Sequence, residues 1–285
     1  MVAVGQVTLL LAAMQTSIVA AGLRSFSGDI DRFAIFSLVV RESLRRSTRD
    51  KAISTHSLAI ALARSFETVR RHVIALTDDG LCVRGRSGVV VRPEVLERPD
   101  IAAMMRLSHD AFVRFAEGVV ALDDAPIPRP ATTRPYHPVV GIAAAIDVML
   151  ATVDSNRAVH RNWLDLALFS TVLYANLQRQ QRCGGAVGPV HAVRPGILAE
   201  ALHLPETTVR RRLKAMTEPG GSLVKVPNGF LISGAWLARP EAQATSARTY
   251  ANIRLILAQA AAHGFPIDDP ASVYLDGRPS AVSLV

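Results

Sequence analysis

The sequence is poor in the residues that build disulfides and zinc sites. Its two cysteines, Cys82 and Cys183, lie far apart and form no CxxC pair, and its eight histidines form no HxxxH or HExxH pattern. These absences argue against a disulfide framework and against a cysteine- or histidine-based zinc site. Two isolated thiols also fit a reducing compartment. We therefore expect no metal or other cofactor, and a cytoplasmic location.

Sequence motifs that carry catalysis are missing as well. The chain has no GxSxG, no P-loop and no GxGxxG placed after a strand. Its paired glycines, Gly184-Gly185 and Gly220-Gly221, lie in loop-like stretches without a phosphate-binding context. The sequence therefore predicts a protein that is not an enzyme.

Positive charge is missing ahead of the apolar run at the N-terminus. Residues 2–23 carry no charge and are long enough to span a bilayer, but no Lys or Arg precedes them as in a signal peptide. A similar run recurs at 139–154, where it contains Asp147. Because the run recurs, we favour a buried helix of a duplicated unit, with a membrane tether as the weaker alternative.

Basic charge and apolar material are abundant. Lys and Arg outnumber Asp and Glu by 32 to 24, and hydrophobic residues make up 49% of the 285 positions. The length suits roughly two domains of about 150 residues each. The basic balance favours a polyanionic partner, either nucleic acid or an anionic membrane surface. The alternative is a basic surface that has no such partner.

One stretch of sequence occurs twice. Residues 67–80 read ETVRRHVIALTDDG, and residues 206–221 read ETTVRRRLKAMTEPGG. The segments around them also match in unchanged order: 32–44 with 164–177, 56–76 with 195–216, 81–91 with 223–232, and 96–99 with 237–240. Ordered matches of this kind indicate a duplicated unit.

A proline-rich segment at 123–138 separates the two copies and predicts a stiff connector. We therefore predict a first domain over 1–122, a second over 139–265, and a tail over 266–285. Asp123-Asp124 and Asp268-Asp269 are expected to cap or end helices.

Each copy has the pattern of a helix, two short helices joined by a turn, a β-hairpin and a long helix. In the first copy, Asp29 or Asp31 can cap a helix over 32–46, and a long helix follows at 100–121. The helix–turn–helix and hairpin segments are predicted over 57–77 and 81–91 in the first copy, and over 196–216 and 223–232 in the second.

These segments resemble the winged helix-turn-helix domain of bacterial transcription regulators of the GntR and MarR types. The first copy carries Thr68-Val69-Arg70-Arg71, followed by Leu76, Gly80 and Leu81. The second keeps Thr208-Val209-Arg210-Arg211 and Leu213, but its junction after Met216 is longer. The resemblance implies a mainly α fold with small β-hairpin wings: two tandem winged helix-turn-helix domains with extra flanking helices.

On a helical wheel, one side of each predicted recognition helix is apolar and the opposite side is polar. The inward positions are Val69, Val73 and Leu76 in the first copy, and Val209, Leu213 and Met216 in the second. The outward positions are Glu67, Arg71 and Ile74 in the first, and Thr207, Arg211 and Lys214 in the second. A helix that reads the major groove needs this division.

We expect particular roles for the polar residues. An outward arginine can bond guanine, a glutamate can accept from cytosine, and Ile74 can contact a thymine methyl or a protein. Arg70 and Arg210 flank the outward pair and suit phosphate, whereas Arg212 and His72 point inward and are expected to be structural. The predicted DNA-binding residues are Glu67, Thr68, Arg70, Arg71, Arg84, Arg86, Thr207, Thr208, Arg210, Arg211, Lys214 and Lys225.

The sequence thus predicts a sequence-specific, double-stranded-DNA-binding transcription regulator in the bacterial cytoplasm, associated with the nucleoid. It could use its two units as a pseudo-dimer, or form a homodimer through the apolar helices at 2–23 and 139–153. One alternative is a plasmid-type replication initiator with tandem winged helices. A protein-binding tandem winged-helix adaptor is another, although the exposed arginine pairs argue against it.

Overall fold

The structure is a computed structural model that describes residues 2–45, 52–122, 126–128, 134–160 and 162–284. Its first part contains α1 (Val2–Ser25), α2 (Ile30–Arg45), α3 (Thr55–Leu62), α4 (Phe66–Asp78), β1 (Val83–Gly85), β2 (Gly88–Val90), α5 (Pro93–Leu96) and α6 (Pro99–Ala121). We call these elements repeat 1.

The same order of elements returns after residue 138. Repeat 2 contains α7 (Pro138–Asn156), α8 (Trp163–Cys183), α9 (Pro195–Ala201), α10 (Glu206–Ala215), β3 (Leu223–Val226), β4 (Gly229–Ile232), α11 (Gly234–Leu237) and α12 (Pro240–Ala262). Short 3-10 helices lie at Pro189–His191 and Pro270–Val273. The described chain is therefore mostly helical with two antiparallel two-stranded hairpins, which confirms the mainly α class with small β-hairpins.

The element boundaries agree closely with the sequence pattern. The helix predicted over 32–46 begins at Ile30, because Asp29 Oδ1 accepts a hydrogen bond from the backbone N–H of Arg32 at 2.9 Å. The predicted connector at 123–138 is described only at 126–128 and from residue 134 onward. The proposed caps at Asp123-Asp124 lie outside the described residues.

A residue before each pair of short helices joins the hairpin as a third, very short strand. Ile53 and Val89 exchange backbone hydrogen bonds of 2.9 and 2.8 Å, and Val193 and Phe230 exchange bonds of 3.1 and 2.9 Å. The hairpin residue beside each bridge is a glycine, Gly88 or Gly229, with a φ of +133° or +139°. A Cβ at either position would collide with the neighbouring carbonyl, so the close approach of the strands depends on glycine.

In both repeats, the long helix that precedes the two short helices anchors the hairpin through a side-chain hydrogen bond. In repeat 1, Ser43 Oγ on α2 accepts a hydrogen bond from Val91 N at 3.1 Å. In repeat 2, Asn176 Oδ1 on α8 accepts from Ile232 N at 3.0 Å. These side chains satisfy a backbone donor at the end of each hairpin, inside the core.

The turn between the two short helices has the same backbone in both repeats. Ala63 and His203 both lie in the left-handed region, with φ of 48° and 52°. In repeat 1 the following helix is capped by Ser65, whose Oγ accepts from Thr68 N at 3.1 Å. Pro205 occupies the corresponding position in repeat 2 and offers no side-chain cap. Two unrelated residue types in the same unusual conformation indicate that the packing around the turn dictates it.

Helix α1 lies between the two repeats and is buried on two sides. One face, with Leu11, Met14 and Ile18, joins the core of repeat 1, and another, with Val19 and Leu23, joins the core of repeat 2. Helix α1 packs against α6 and α8, and α7 packs against α12, α6 and α2. The first helix of each repeat therefore contacts the second helix of the other, so much of the apolar surface that the sequence offered for a homodimer is buried within one chain.

Helices α1 and α7 are also long and apolar enough to cross a membrane by length and composition alone, over Gly5–Ser25 and Pro138–Asn156. In the most apolar part of each stretch, 61% is buried against the rest of the chain for α1 and 50% for α7. Burial to this degree is typical of core helices.

The segment predicted as a tail, 266–285, is tied to the helices at several points along its described length. The carboxylate of Asp110 on α6 accepts backbone hydrogen bonds from Leu275 and Asp276, each at 2.9 Å. Near the end, Leu284 is fully buried, and its backbone N–H donates to Gln178 Oε1 on α8 at 3.1 Å. This segment therefore ties α6 of repeat 1 to α8 of repeat 2.

Candidate nucleic-acid interface

The inward faces of α4 and α10 are packed as the helical wheel predicts. Every predicted inward side chain is buried: Val69, Val73 and Leu76 on α4, Val209 and Leu213 on α10, and Met216 directly after α10. Burial of one such side chain contributes about 1.5–3 kcal/mol relative to exposure. Each helix is therefore held firmly against its core, which fixes the direction in which its outward residues point.

The outward arginines Arg71 and Arg211 occupy equivalent positions on α4 and α10, and both are exposed. Neither makes a hydrogen bond or ion pair with any residue that the structure describes. A guanidinium carries five N–H donors in a flat fork that matches phosphate or the guanine edge. The two repeats thus present the same unengaged donor group.

The neighbouring arginines are engaged with glutamates of their own helix. Arg70 Nε and Nη2 donate to the two carboxylate oxygens of Glu67, both at 2.8 Å. Arg210 Nε and Nη2 donate to Glu206 Oε1 at 2.9 and 2.6 Å. The hydrogen bond from Arg70 also holds the pKa of the Glu67 carboxyl below its ordinary value. Exposed pairs of this kind are weak because solvent screens them, so a phosphate can compete for the arginine.

Glu67 was predicted to accept from a cytosine, but its carboxylate instead lies on Arg70 in the structure. Sequence reasoning placed Glu67 and Arg71 on the outward face and missed the pairing with Arg70. The signal was present, because a Glu three residues before an Arg is a common helical ion pair. Reading of a base by Glu67 requires this pair to open first.

The threonines near the helix starts differ in their availability. Thr68 Oγ1 lies 2.8 Å from Ser65 Oγ, so its hydroxyl takes part in the cap of α4. In the described structure the hydroxyl of Thr208 has no such partner, because Pro205 replaces the capping serine. Thr207, beside it, is exposed. The start of α10 therefore offers more free donors than the start of α4.

The hairpins place cations beside these helices. Arg84 and Arg86 are exposed at the end of the β1–β2 hairpin, and Arg84 pairs across the ladder with Val89. Lys225 occupies the equivalent place in repeat 2, opposite Phe230, and is also exposed. The turn of the second hairpin carries Pro227 and Asn228 and no cation.

An open groove of about 1040 Å³ separates α10 from the β3–β4 hairpin in repeat 2. Cations line it from several elements: Arg179 on α8, Arg194 just before α9, Arg210 and Lys214 on α10, and Lys225 on β3. Two acids, Glu200 and Glu206, also line it, and Glu206 is paired with Arg210. Cations therefore outnumber acids along the groove, which gives it the charge that a phosphate backbone requires.

Repeat 1 carries apolar side chains where repeat 2 has the charged groove. Ile60, Phe66 and Ile74 are 64%, 50% and 37% exposed. At the equivalent positions repeat 2 has Glu200, Glu206 and Lys214. The sequence comparison noted only the exchange of Ile74 for Lys214. The other two exchanges follow from the same alignment, because the left-handed turns at Ala63 and His203 fix the register.

Polar side-chain contacts join the inner side of each outward helix to the preceding long helix or its cap. Arg212 lies 3.7 Å from Asp165 on α8, which fits the structural role expected of it. Burial raises the pKa of Asp165, and Arg212 partly opposes that rise. The equivalent residue in repeat 1, His72, lies 3.5 Å from Asp29. Both residues are structural supports, as the sequence indicated.

Among the described residues, no group of three or more His, Cys, Asp or Glu side chains is arranged to hold a metal ion. Comparisons with protein-family models, curated proteins and solved structures found no match to this chain. The functional argument therefore rests on the geometry of α4, α10 and the two hairpins.

Proposed function

We propose that the chain is a sequence-specific, double-stranded-DNA-binding transcription regulator built from two tandem winged-helix units. In this proposal α4 and α10 enter the major groove, and the two hairpins act as wings on the backbone or in the minor groove. The observation that carries the proposal is the repeated pair Arg71 and Arg211. Each is exposed and unengaged on the outer side of a helix whose inner side is buried.

The local chemistry supports DNA as the partner. The major groove of B-DNA admits an α-helix, and an arginine can bond guanine O6 and N7 together. Cations on the adjoining hairpins, Arg84 and Lys225, are available for phosphates. The net charge of +8 favours a polyanion over a neutral partner. A DNA-binding role also implies a location in the cytoplasm, beside the nucleoid.

The two units use different cations in this account. The groove of repeat 2, with Arg194, Lys214 and Lys225, supplies phosphate contacts along the helix and the hairpin. Repeat 1 depends more on its wing, where Arg84 and Arg86 are exposed. The operator is therefore expected to be asymmetric, with two dissimilar half-sites roughly 10 base pairs apart.

Selection of duplexes from a random pool by the full chain tests this function. The selected sequence should bind more tightly than a scrambled duplex by about 10³-fold or more in fluorescence anisotropy. The double variant Arg71→Ala, Arg211→Ala should lose most of this preference. Recovery of no sequence preference, together with equal binding by the double variant, would contradict the proposal. Mapping of bound genomic sites then distinguishes promoters from the iterated origin sites of a replication initiator.

Protein binding by repeat 1 is the second candidate function, favoured by the exposed Ile60, Phe66 and Ile74. Exposed apolar side chains at these positions do not suit a phosphate backbone, whereas they suit another protein. Hydroxyl-radical footprinting separates the two cases. Protection of two half-sites supports DNA binding by both repeats, and protection of one half-site supports protein binding by repeat 1.

A further inference from the structure

Repeat 1 exposes three large apolar side chains, Ile60 on α3 and Phe66 and Ile74 on α4. We call them the apolar face of repeat 1. Phe66 and Ile74 are spaced by about two helical turns, which places both on one side of α4. Helix α3, which carries Ile60, packs against α4. Exposed apolar residues that lie together commonly mark an interaction with another macromolecule.

The structure of repeat 2 shows that these three positions belong to one surface. Their equivalents, Glu200, Glu206 and Lys214, all line the open groove between α10 and the β3–β4 hairpin. The equivalence holds because the two repeats share the order of their elements and the left-handed turn between the short helices. Repeat 1 therefore carries apolar side chains on a surface that is charged and forms an open groove in repeat 2.

Cations surround the apolar face of repeat 1. Arg70 lies on α4 between the two apolar residues of that helix, and Arg71 beside it is exposed and has no partner in the described structure. The β1–β2 hairpin carries Arg84 at the position that Lys225 takes in the groove of repeat 2. The acid of this surface, Glu67, is already engaged by Arg70. The surface therefore combines an apolar centre with a positively charged surround.

We propose that the apolar face of repeat 1 binds an acidic amphipathic helix of a partner protein. Such a helix places apolar side chains along one side at a spacing that matches Phe66 and Ile74, and a third apolar contact falls on Ile60. Acidic residues on its flanks pair with Arg71 and Arg84. This proposal names the partner for the second candidate function, and it does not rest on DNA binding.

The charge and shape of this surface fit a helix better than they fit other occupants. A symmetric contact with a second copy of the chain would bring Arg71 and Arg84 close to arginines of the same surface, and like charges repel. A flat bilayer would not follow the groove that the equivalent elements form in repeat 2. An acidic helix is convex and opposite in charge, so it satisfies both conditions.

Fluorescence anisotropy of the full chain with a labelled peptide tests the proposal without DNA. The probe is a fluorescein-labelled peptide of three Leu-Glu-Glu-Leu-Leu-Glu-Glu heptads, whose leucines lie on one side of a helix. We expect saturable binding at micromolar concentration. The matching peptide with lysine in place of each glutamate should not bind. Absence of saturable binding by the acidic peptide, or equal binding by the lysine peptide, overturns the proposal.

Variants of the chain locate the binding site. The triple variant Ile60→Glu, Phe66→Glu, Ile74→Lys gives repeat 1 the residues that repeat 2 carries at these positions, and should weaken binding by about tenfold or more. The matched control is Leu255→Glu on α12, because Leu255 is 61% exposed and the substitution changes the net charge by the same amount. The control should bind the peptide as the unchanged chain does. Equal binding by the folded triple variant and the unchanged chain overturns the assignment.

The charged part of the surface has its own variant. Arg84→Glu leaves the apolar face intact and reverses one charge beside it, so it should weaken binding of the acidic peptide by about three- to tenfold. Unchanged binding by Arg84→Glu contradicts the role of the surrounding cations. These measurements contain no DNA, so failure of the chain to bind any duplex overturns the proposed function and leaves the peptide result standing.

Two further measurements distinguish the other occupants. Sedimentation velocity should give the same mass for the unchanged chain and the triple variant. Retention on phosphatidylglycerol vesicles should also be the same for both proteins. A dimer, or binding to vesicles, that disappears in the triple variant would assign the apolar face to a second copy or to a membrane, and overturns the proposal.

Discussion

At the scale of single residues, the arginines of α4 and α10 fall into two groups, those with an ionic partner and those without one. Arg70 and Arg210 are held by glutamates on their own helices, and Arg212 is held by Asp165. Arg71 and Arg211 have no ionic partner in the described structure. The sequence predicted the direction of each side chain, because helical geometry sets it. It could not predict the engagement of Glu67, which depends on side-chain rotamers.

Substitution of Arg211 by lysine tests its role in reading sequence. Lysine keeps the positive charge but loses the flat fork that bonds two acceptors on guanine. We expect Arg211→Lys to lower discrimination at one base pair by about 1–3 kcal/mol. The salt dependence of binding should stay the same. The measurement is anisotropy with duplexes that vary at each operator position.

Arg106→Lys is the matched control, because Arg106 lies on α6 and pairs with Asp276. It should leave discrimination unchanged at every position. Equal discrimination by Arg211→Lys and the unchanged chain would assign Arg211 to phosphate contacts only.

His160 gives a prediction for stability against pH. It packs against Phe169 and Trp236, with ring centroids 4.6 and 5.6 Å away, and burial lowers its pKa from 6.5 to about 4. Between these values the unfolded chain binds a proton that the folded chain does not. Stability from this group is therefore full above pH 6.5 and is lost as the pH falls toward 4.

Urea unfolding at pH 7 and pH 5 measures this effect. We expect His160 to lower the free energy of unfolding by about 2 kcal/mol between the two values. His160→Leu should remove this contribution. The free energy of unfolding of the variant should therefore fall by about 2 kcal/mol less between pH 7 and pH 5. An identical drop in both proteins would show that His160 is protonated in the folded chain.

At the scale of elements, the short-range pattern was sufficient to locate most of the fold. Apolar spacing predicted the pairs α3/α4 and α9/α10, and turn residues predicted both hairpins. The third strand at Ile53 and Val193 was not predicted, because one bridging residue leaves no periodic signal. The left-handed residues Ala63 and His203 were also missed, since neither is a glycine.

Gly229→Ala tests the close approach of that third strand. A Cβ there would collide with the carbonyl of Val193, and φ is +139°, so we expect a loss of about 2–4 kcal/mol in unfolding free energy. The control is Gly234→Ala, at the start of α11, where a Cβ meets no atom within 4 Å. The control should change stability by less than about 0.5 kcal/mol. Equal stabilities of the two variants in thermal unfolding would contradict the bridge geometry.

At the scale of the whole molecule, the two repeats are less separable than their sequences indicate. The boundaries drawn at 1–122 and 139–265 treat each copy as a unit with its own core. In the structure α1 contributes to both cores, and the final segment ties α6 to α8. Apart from Arg24 near its end, α1 carries no charge and has no charged face, so its sequence does not reveal which sides are covered.

Removal of α1 tests this shared arrangement. A chain that begins at residue 27 loses Val19 and Leu23 from the core of repeat 2 as well as Leu11 and Met14 from repeat 1. We expect both repeats to lose cooperative thermal unfolding, monitored by Trp236 fluorescence for repeat 2. Addition of a peptide of residues 1–26 should restore it. A cooperative transition of repeat 2 without α1 would show that the repeats fold independently.

Salt-dependent binding to the selected duplex measures the central claim most directly. For the full chain we predict that the logarithm of the association constant falls linearly with the logarithm of salt concentration, with a slope of about −4 or steeper. The double variant Arg71→Ala, Arg211→Ala should bind this duplex more weakly, by about 1–3 kcal/mol for each arginine that reads a base. A flat salt dependence of the full chain, or equal affinity of the two proteins for the selected duplex, would contradict the assignment of α4 and α10 as DNA-binding helices.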